Sequence, residues 1–279
     1  MKKKISVIGA TGKLAIPVIN RLLENGIAVT AIVRDLKKAQ QVLSPDVELL
    51  VADLKDIDSL NSALQGTETL YLNLSTHPSS DGFQAEIDGV KNLLSAASGT
   101  PLKHIIKISA IGALHPEFNL KGEKFQPNEI RIKSHQLIKK SGINYTILHP
   151  TWFANALPWF VNDGNFIVYG KDEFPLYWTN TTDFADLIAN AIDNKSSFNQ
   201  EFPVQGKNAM TFTELGEKYN ELVNPTLRIK RAPINEDAGK FKALMGYYEN
   251  FKERFVAEKT WHILGEPQSG IDQFLRKEL

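Results

Sequence analysis

Two hydrophobic rhythms alternate along the first 150 residues of the chain. Short, mainly apolar runs at 5–8, 27–33, 47–51, 69–74, 102–108 and 143–148 read as strands buried on both faces. Between them, apolar residues return every three or four positions at 16–23, 36–43, 56–64, 83–97 and 129–140, the spacing of amphipathic helices. Punctuation marks the boundaries: Gly26 and Gly66 end helices, Ser44-Pro45-Asp46 turns the chain, and Ser141-Gly142 closes the last helix. Strands alternating with helices in this way predict an α/β fold with a doubly wound parallel sheet.

Beyond Pro150 the rhythm changes. Aromatic residues gather at Trp152, Phe153, Trp159, Phe160, Phe166, Tyr169, Phe174, Tyr177 and Trp178. We therefore divide the chain into a sheet domain, 1–150, and a smaller, mixed, mainly helical C-terminal lobe, 151–279. Within the lobe, 179–204 reads as a return to the sheet, with Thr182 capping a helix over 183–192 and an edge strand at 201–204. Thr211 to Glu214 opens another helix, and the tail from 236 onward reads as helical. Tyr247, Tyr248, Phe251 and Phe255 form a stripe in that tail, read as the lobe's own core.

The junction between the first strand and first helix carries the chemistry. Gly9-Ala10-Thr11-Gly12-Lys13-Leu14-Ala15 sits where a strand breaks into glycines and restarts as a helix, which aims backbone N–H groups and a helix N-terminus at one spot. A pyrophosphate fits there, and the domain reads as a Rossmann-type dinucleotide fold. Arg34 stands at the carboxyl end of the second strand, where an arginine accommodates the 2′-phosphate of NADP and an acidic residue would select NAD. The neighbouring Asp35 leaves the NAD alternative open, and NADP(H) is the preferred reading.

Composition narrows the function classes. Apolar residues make up 42% of the chain, enough for a sizeable core, and 32 basic residues balance 32 acidic ones. No global field attracts nucleic acid or an anionic membrane, so neither is expected as a partner. The chain has no cysteine, which removes disulfides, thiolate catalysis and cysteine-ligated metals and is consistent with the cytoplasm. No apolar stretch approaches the roughly 20 residues that span a bilayer. None of the histidine pairings, His77 with Asp81 or His104 with His115, has metal-ligand spacing, and no metal site is expected. A Gly-x-Ser-x-Gly nucleophile elbow is also absent.

Gly-Ala-Thr-Gly at 9–12, Val33-Arg34, Ala52-Asp53-Leu54, the strand 103–109 and the segment 141–150 together resemble the NmrA-like branch of the atypical short-chain dehydrogenase/reductase superfamily. The resemblance runs from about residue 4 to about residue 223. It implies that Gly9, Thr11, Gly12, Lys13 and Leu14 meet the pyrophosphate and Arg34 the ribose phosphate. By the same resemblance Asp53 and Leu54 would meet adenine, and Leu74 and Ser75 would flank the nicotinamide ribose. Ser109 occupies the family's serine position. Ala15 replaces the third fingerprint glycine, at a position that serves helix packing. His149 stands where the family has arginine, which puts in question the ion pair that arginine would make.

The family's Tyr-x-x-x-Lys pair is missing. Its two possible registers hold Pro127 and Arg131, or Glu129 and Lys133. On the same helix Arg131 and His135 share one edge of the buried stripe, four residues apart, and the resemblance turns that edge toward the nicotinamide. They are the catalytic candidates, His135 as a proton donor or Arg131 as a fixed charge. Trp152, Phe153, Trp159 and Phe160 are the candidate walls of a substrate pocket.

Two functions are compatible with these residues. One is an NADPH-dependent reductase of a flat conjugated electrophile such as a quinone, whose delocalised product anion tolerates the missing tyrosine. The other is a non-catalytic NADP(H) sensor that passes its state to a regulatory protein partner. A monomer or a homodimer suits either.

Overall fold

The computed structural model describes residues 3–278. In chain order its elements are β1 (Lys4–Ile8), α1 (Ala15–Glu24), β2 (Ala28–Val33), α2 (Leu36–Val42), β3 (Glu48–Val51), α3 (Ile57–Leu64) and β4 (Thr69–Leu72). After one π-helical turn, Ala85–Gly89, come α4 (Val90–Ala96), β5 (His104–Ile108), α5 (Ile111–Leu114), α6 (Gln126–Lys140) and β6 (Asn144–Pro150). The remainder comprises β7 (Val161–Asn162), β8 (Asn165–Tyr169), α7 (Thr181–Ala191), β9 (Gln200–Val204), α8 (Phe212–Leu222), β10 (Arg228–Ala232), α9 (Lys242–Tyr248), α10 (Glu258–Leu264) and α11 (Ile271–Glu278).

Seven strands form one parallel sheet in the order β3-β2-β1-β4-β5-β6-β9. The order reverses between β1 and β4, and loops leaving those two strands at their carboxyl ends diverge to opposite sides. Apolar side chains cover both faces, as the continuous strand runs require. On one face α1 and α7 pack Val18, Ile19, Leu22, Phe184 and Ile188 against the strands. On the other, α3, α4 and α6 contribute Leu60, Leu64, Val90, Leu93 and Ile138. Arg21 of α1 grips Asp186 of α7 with two nitrogens, Nε to Oδ1 at 3.0 Å and Nη2 to Oδ2 at 3.2 Å, so the sheet domain includes a segment from beyond residue 150.

Several boundaries move from the sequence reading, each for a local reason. The helix read at 183–192 begins two residues earlier, because Asn180 is its cap: its side chain accepts from Asp183 N at 2.8 Å. The helix read from 129 begins at Gln126, since Pro127 lies in the first turn, where its missing N–H has no partner to lose. The stretch 83–97 starts with a π turn in which Gly89 N donates to Gln84 O at 3.3 Å. The tail is a 3₁₀ segment, Glu236–Phe241, followed by three separate α-helices, interrupted around Phe251 and again around Gly265. The lobe also has a sheet of its own, β10-β8-β7, which the sequence reading lacks. Its core is a third cluster, in which Trp152, Phe160, Phe166, Trp178, Phe212, Tyr247 and Phe251 meet.

Candidate active site

Gly9 makes the turn at the sheet's switch point possible. It has φ of +83°, and a Cβ there would stand 2.0 Å from the carbonyl oxygen of Asn73 in the loop after β4. Only glycine lets these two loops touch. Gly12 N donates back to Gly9 O at 3.1 Å, and Gly12 O accepts from Ala15 N at 2.9 Å, which winds the chain into α1. No side chain caps α1 and no acidic residue lies in its first turn, so the positive end of the helix is left for an anion. Ala15 is fully buried in the core, consistent with a packing role. The cradle therefore fits a pyrophosphate.

At the adenosine end, Arg34 is exposed just past β2, and no hydrogen bond or ion pair engages its guanidinium among the described residues. Asp35 is committed elsewhere: its carboxylate caps α2 by accepting from Lys38 N at 3.0 Å. Asp53 accepts from Lys55 N at 3.0 Å. Leu54 lies against Gly89 of the π turn, where a Cβ would come within 3.0 Å of the leucine side chain. The π turn thus lets the adenine-side loop approach closely.

Leu74, Ser75 and Ser109 lie at the other end, with Lys13 and Leu14, on the wall of a cavity of about 1410 Å³. The lobe supplies the facing wall through Trp152, Phe153, Trp159, Tyr247 and Tyr248. Lys13 Nζ stands 5.3 Å from the centre of the Trp159 ring, so a cation of the cradle touches the aromatic wall. Phe160 is not part of that wall. It is 2% exposed and packs inside the lobe on Phe212 and Phe241, because the 3₁₀ turn Ala154–Phe160 sends Trp159 and Phe160 to opposite sides.

The two catalytic candidates also part company. Arg131 lines the cavity, with Nη1 3.4 Å from Asn128 Oδ1, and burial pulls its pKa down while Glu86 pulls it up. His135 is buried away from the cavity, its ring 5.2 Å from and perpendicular to His149. Burial, reinforced by the charges of Lys107, Lys139 and Arg131, holds His135 far below the ordinary imidazole value. It stays neutral at physiological pH and has no proton to give as an acid.

His149 answers the question raised by the missing arginine. Its Nε2 stands 3.1 Å from Glu201 Oε1 and its Nδ1 3.1 Å from Ala110 O. Burial pushes the His149 imidazole down although Glu201 pulls it up, so the link from β6 to β9 is a hydrogen bond and not the ion pair an arginine would make. Burial raises the Glu201 carboxyl, but hydrogen bonds from His149 and Lys139 outweigh it and hold the group near 2. His135, His149 and Glu201 place ligand-type atoms within 4.8 Å of one another. The surrounding Lys107, Arg131 and Lys139 oppose a dication there, and Lys139 already neutralises Glu201.

Sequence reasoning missed one further pair. Lys107 of β5 and Glu86 of the π turn are both fully buried, with Nζ 2.8 Å from Oε2 and 3.0 Å from Ile108 O. A lysine within the apolar run Ile105-Ile106-Lys107-Ile108 was the available signal. The pair ties the strand preceding Ser109 to the turn supporting Leu54, and so joins the two ends of the cofactor groove.

Comparison with known proteins settles the family. Residues 9–195 match the NAD(P)H-binding family. The chain belongs to that family, within the NmrA-like atypical short-chain dehydrogenases/reductases. It is 29% identical over 217 residues to quinone oxidoreductase 2 of Escherichia coli, covering 76% of this chain and 71% of that protein. An NAD(P)H azoreductase from Xenophilus azovorans is 26% identical over 218 residues, with the same coverage. A photosystem II assembly factor from Cyanophora paradoxa is 27% identical over 241 residues, covering 82% of this chain and 72% of that one. Among solved structures, triphenylmethane reductase of Citrobacter sp. with NADP(H) superposes with a TM-score of 0.75 at 19% identity, covering 99% and 100% of the two chains. The Escherichia coli quinone oxidoreductase with NADPH gives 0.71 at 23% identity, covering 97% and 98%. These two share the fold.

Proposed function

We propose that this protein is an NADPH-dependent reductase of a flat, conjugated acceptor such as a quinone. The observation that carries the reading is the continuity of one cavity of about 1410 Å³ from the cradle residues Lys13 and Leu14 to the aromatic wall of Trp152 and Trp159. A protein that only held a dinucleotide would need no such apolar chamber beside it. The bound cofactor supplies a hydride. The chain's own residues do the rest: the glycine turn and α1 hold the pyrophosphate, Arg34 answers the 2′-phosphate, and Trp152 and Trp159 offer apolar wall to a planar acceptor. Arg131 places a positive charge where negative charge develops on that acceptor. NADPH over NADH follows from the free Arg34 guanidinium and from the commitment of Asp35 to α2, which removes the carboxylate a 2′-hydroxyl would need.

The experiment is NADPH consumption with a panel of quinones, azo dyes and triphenylmethane dyes. Turnover above a protein-free blank on at least one of them is expected. Tight NADPH binding with no turnover on any would replace this reading by a sensor that signals through a regulatory protein.

A further inference from the structure

The helix that should carry a catalytic tyrosine has none, yet a phenol lines the same cavity as Arg131. Tyr248, at the end of α9, lines the same cavity as Ser109, Asn128 and Arg131. Its ring is fixed by three aromatic neighbours: Trp152 edge-on at 5.2 Å, Phe251 at 4.8 Å and Tyr247 at 5.4 Å. The hydroxyl accepts or donates no hydrogen bond among the described residues, although the neighbouring Tyr247 hydroxyl has Asn128 Nδ2 at 3.5 Å. The groups whose charge acts on Tyr248 are Glu253, which opposes its ionisation once itself ionised above about pH 7, and Arg131, which favours the phenolate. A half-buried phenol, held by its aromatic neighbours and without a hydrogen-bond partner among the described residues, on the wall of the chamber that Arg131 also lines, is positioned to donate.

We propose that Tyr248 is the proton donor of this site, delivered from the C-terminal lobe in place of the missing helix α6 tyrosine, with Arg131 stabilising the phenolate it leaves. The assignment rests on the reductase reading above. The quinone gains a hydride with its two electrons from the reduced dinucleotide and becomes a hydroquinone monoanion. The Tyr248 O–H bond then breaks, its proton forms the second hydroxyl of the hydroquinone, and the phenolate regains a proton from water. One dinucleotide is oxidised, one quinone is reduced and one proton is consumed. Burial keeps the free phenol protonated well above its ordinary range, so the donor is loaded at every physiological pH.

The test compares wild type with Tyr248→Phe, using 1,4-naphthoquinone and NADPH. The substitution removes only the hydroxyl, and Tyr248 lies outside the cradle, so NADPH affinity by calorimetry should stay within about twofold while kcat falls about a hundredfold, the low end of general-acid contributions. The loss should shrink as pH falls from about 9 to about 6, where solvent supplies the proton, whereas wild type stays level; a packing defect would lower both equally. Wild type itself should show a solvent deuterium isotope effect on kcat. An active wild type with no such effect, or a Tyr248→Phe variant with unchanged kcat and pH profile, overturns the assignment and leaves the reductase standing. A wild type inactive on every acceptor removes both.

Discussion

Two buried ionisable side chains push the protein's acid–base behaviour in opposite directions. His104 on β5 is 1% exposed, with Nε2 bonded to Thr146 Oγ1 at 2.9 Å, and burial holds its pKa at about 4. Between about 6.5 and 4 the unfolded imidazole takes a proton that the native one refuses, so stability falls as pH drops through this window. Glu253 is the converse. Burial pushes its carboxyl up to about 7, against the hydrogen bonds from Gln205, Tyr177 N and Thr151. Between about 4.5 and 7 the unfolded carboxyl ionises while the native one stays protonated, so stability falls as pH rises. The two effects, each roughly 3 kcal/mol, oppose one another in the shared window. Denaturant titrations should separate them. His104→Gln should be more stable relative to wild type at pH about 4.5 than at about 7.5, and Glu253→Gln should gain relative to wild type as pH rises through the same range. Parallel pH profiles for wild type and either variant would contradict the corresponding assignment.

At the scale of elements, the β1–α1 junction is the most constrained piece of backbone in the cofactor groove. Gly9→Ala adds a Cβ where the Asn73 carbonyl already stands, at a φ that side chains rarely adopt, so about 3 kcal/mol or more of stability should be lost. NADPH binding should fall with it, and calorimetry showing wild-type affinity would refute the contact between the two loops. This junction was legible in the sequence because its signal is local: a strand, two glycines and a helix in immediate succession. The capping box of α8 was legible for the same reason, with Thr211 N donating to the Glu214 carboxylate at 2.8 Å. The small sheet of the lobe was not. Val161–Asn162 has only two residues, and Arg228–Ala232 reads Arg-Ile-Lys-Arg-Ala, with no apolar run to announce a strand. Parallel pairing of β10 with β8 compensates, a contact made across some sixty residues and invisible to any periodicity. The fate of the two catalytic candidates was illegible in the same way. Arg131 and His135 share a helical edge, but the tertiary packing of β6 and β9 against that edge leaves one at the cavity and buries the other.

For the molecule as a whole, the sheet domain and the C-terminal lobe line one cavity, so a ligand bound there reports on both. NADPH at a hundred times its Kd should stabilise the fold by about 2.7 kcal/mol, a rise of roughly 5 °C in Tm for a chain of this size. NADH at the same concentration should give less, and Arg34→Ala should abolish the difference by thermal shift. Equal shifts from the two dinucleotides in wild type would remove Arg34 as the discriminating charge.

The position of α9 has a consequence in time. Residues 9–109 complete the cradle, while Tyr247 and Tyr248 follow more than a hundred residues later. At about 5–20 residues per second, a growing chain carries its dinucleotide-binding loops for many seconds before the lobe wall of the cavity has been made. A chain cut short before α9 would keep the cradle residues and lose the shield, leaving any reduced cofactor it held open to water and adventitious oxidants.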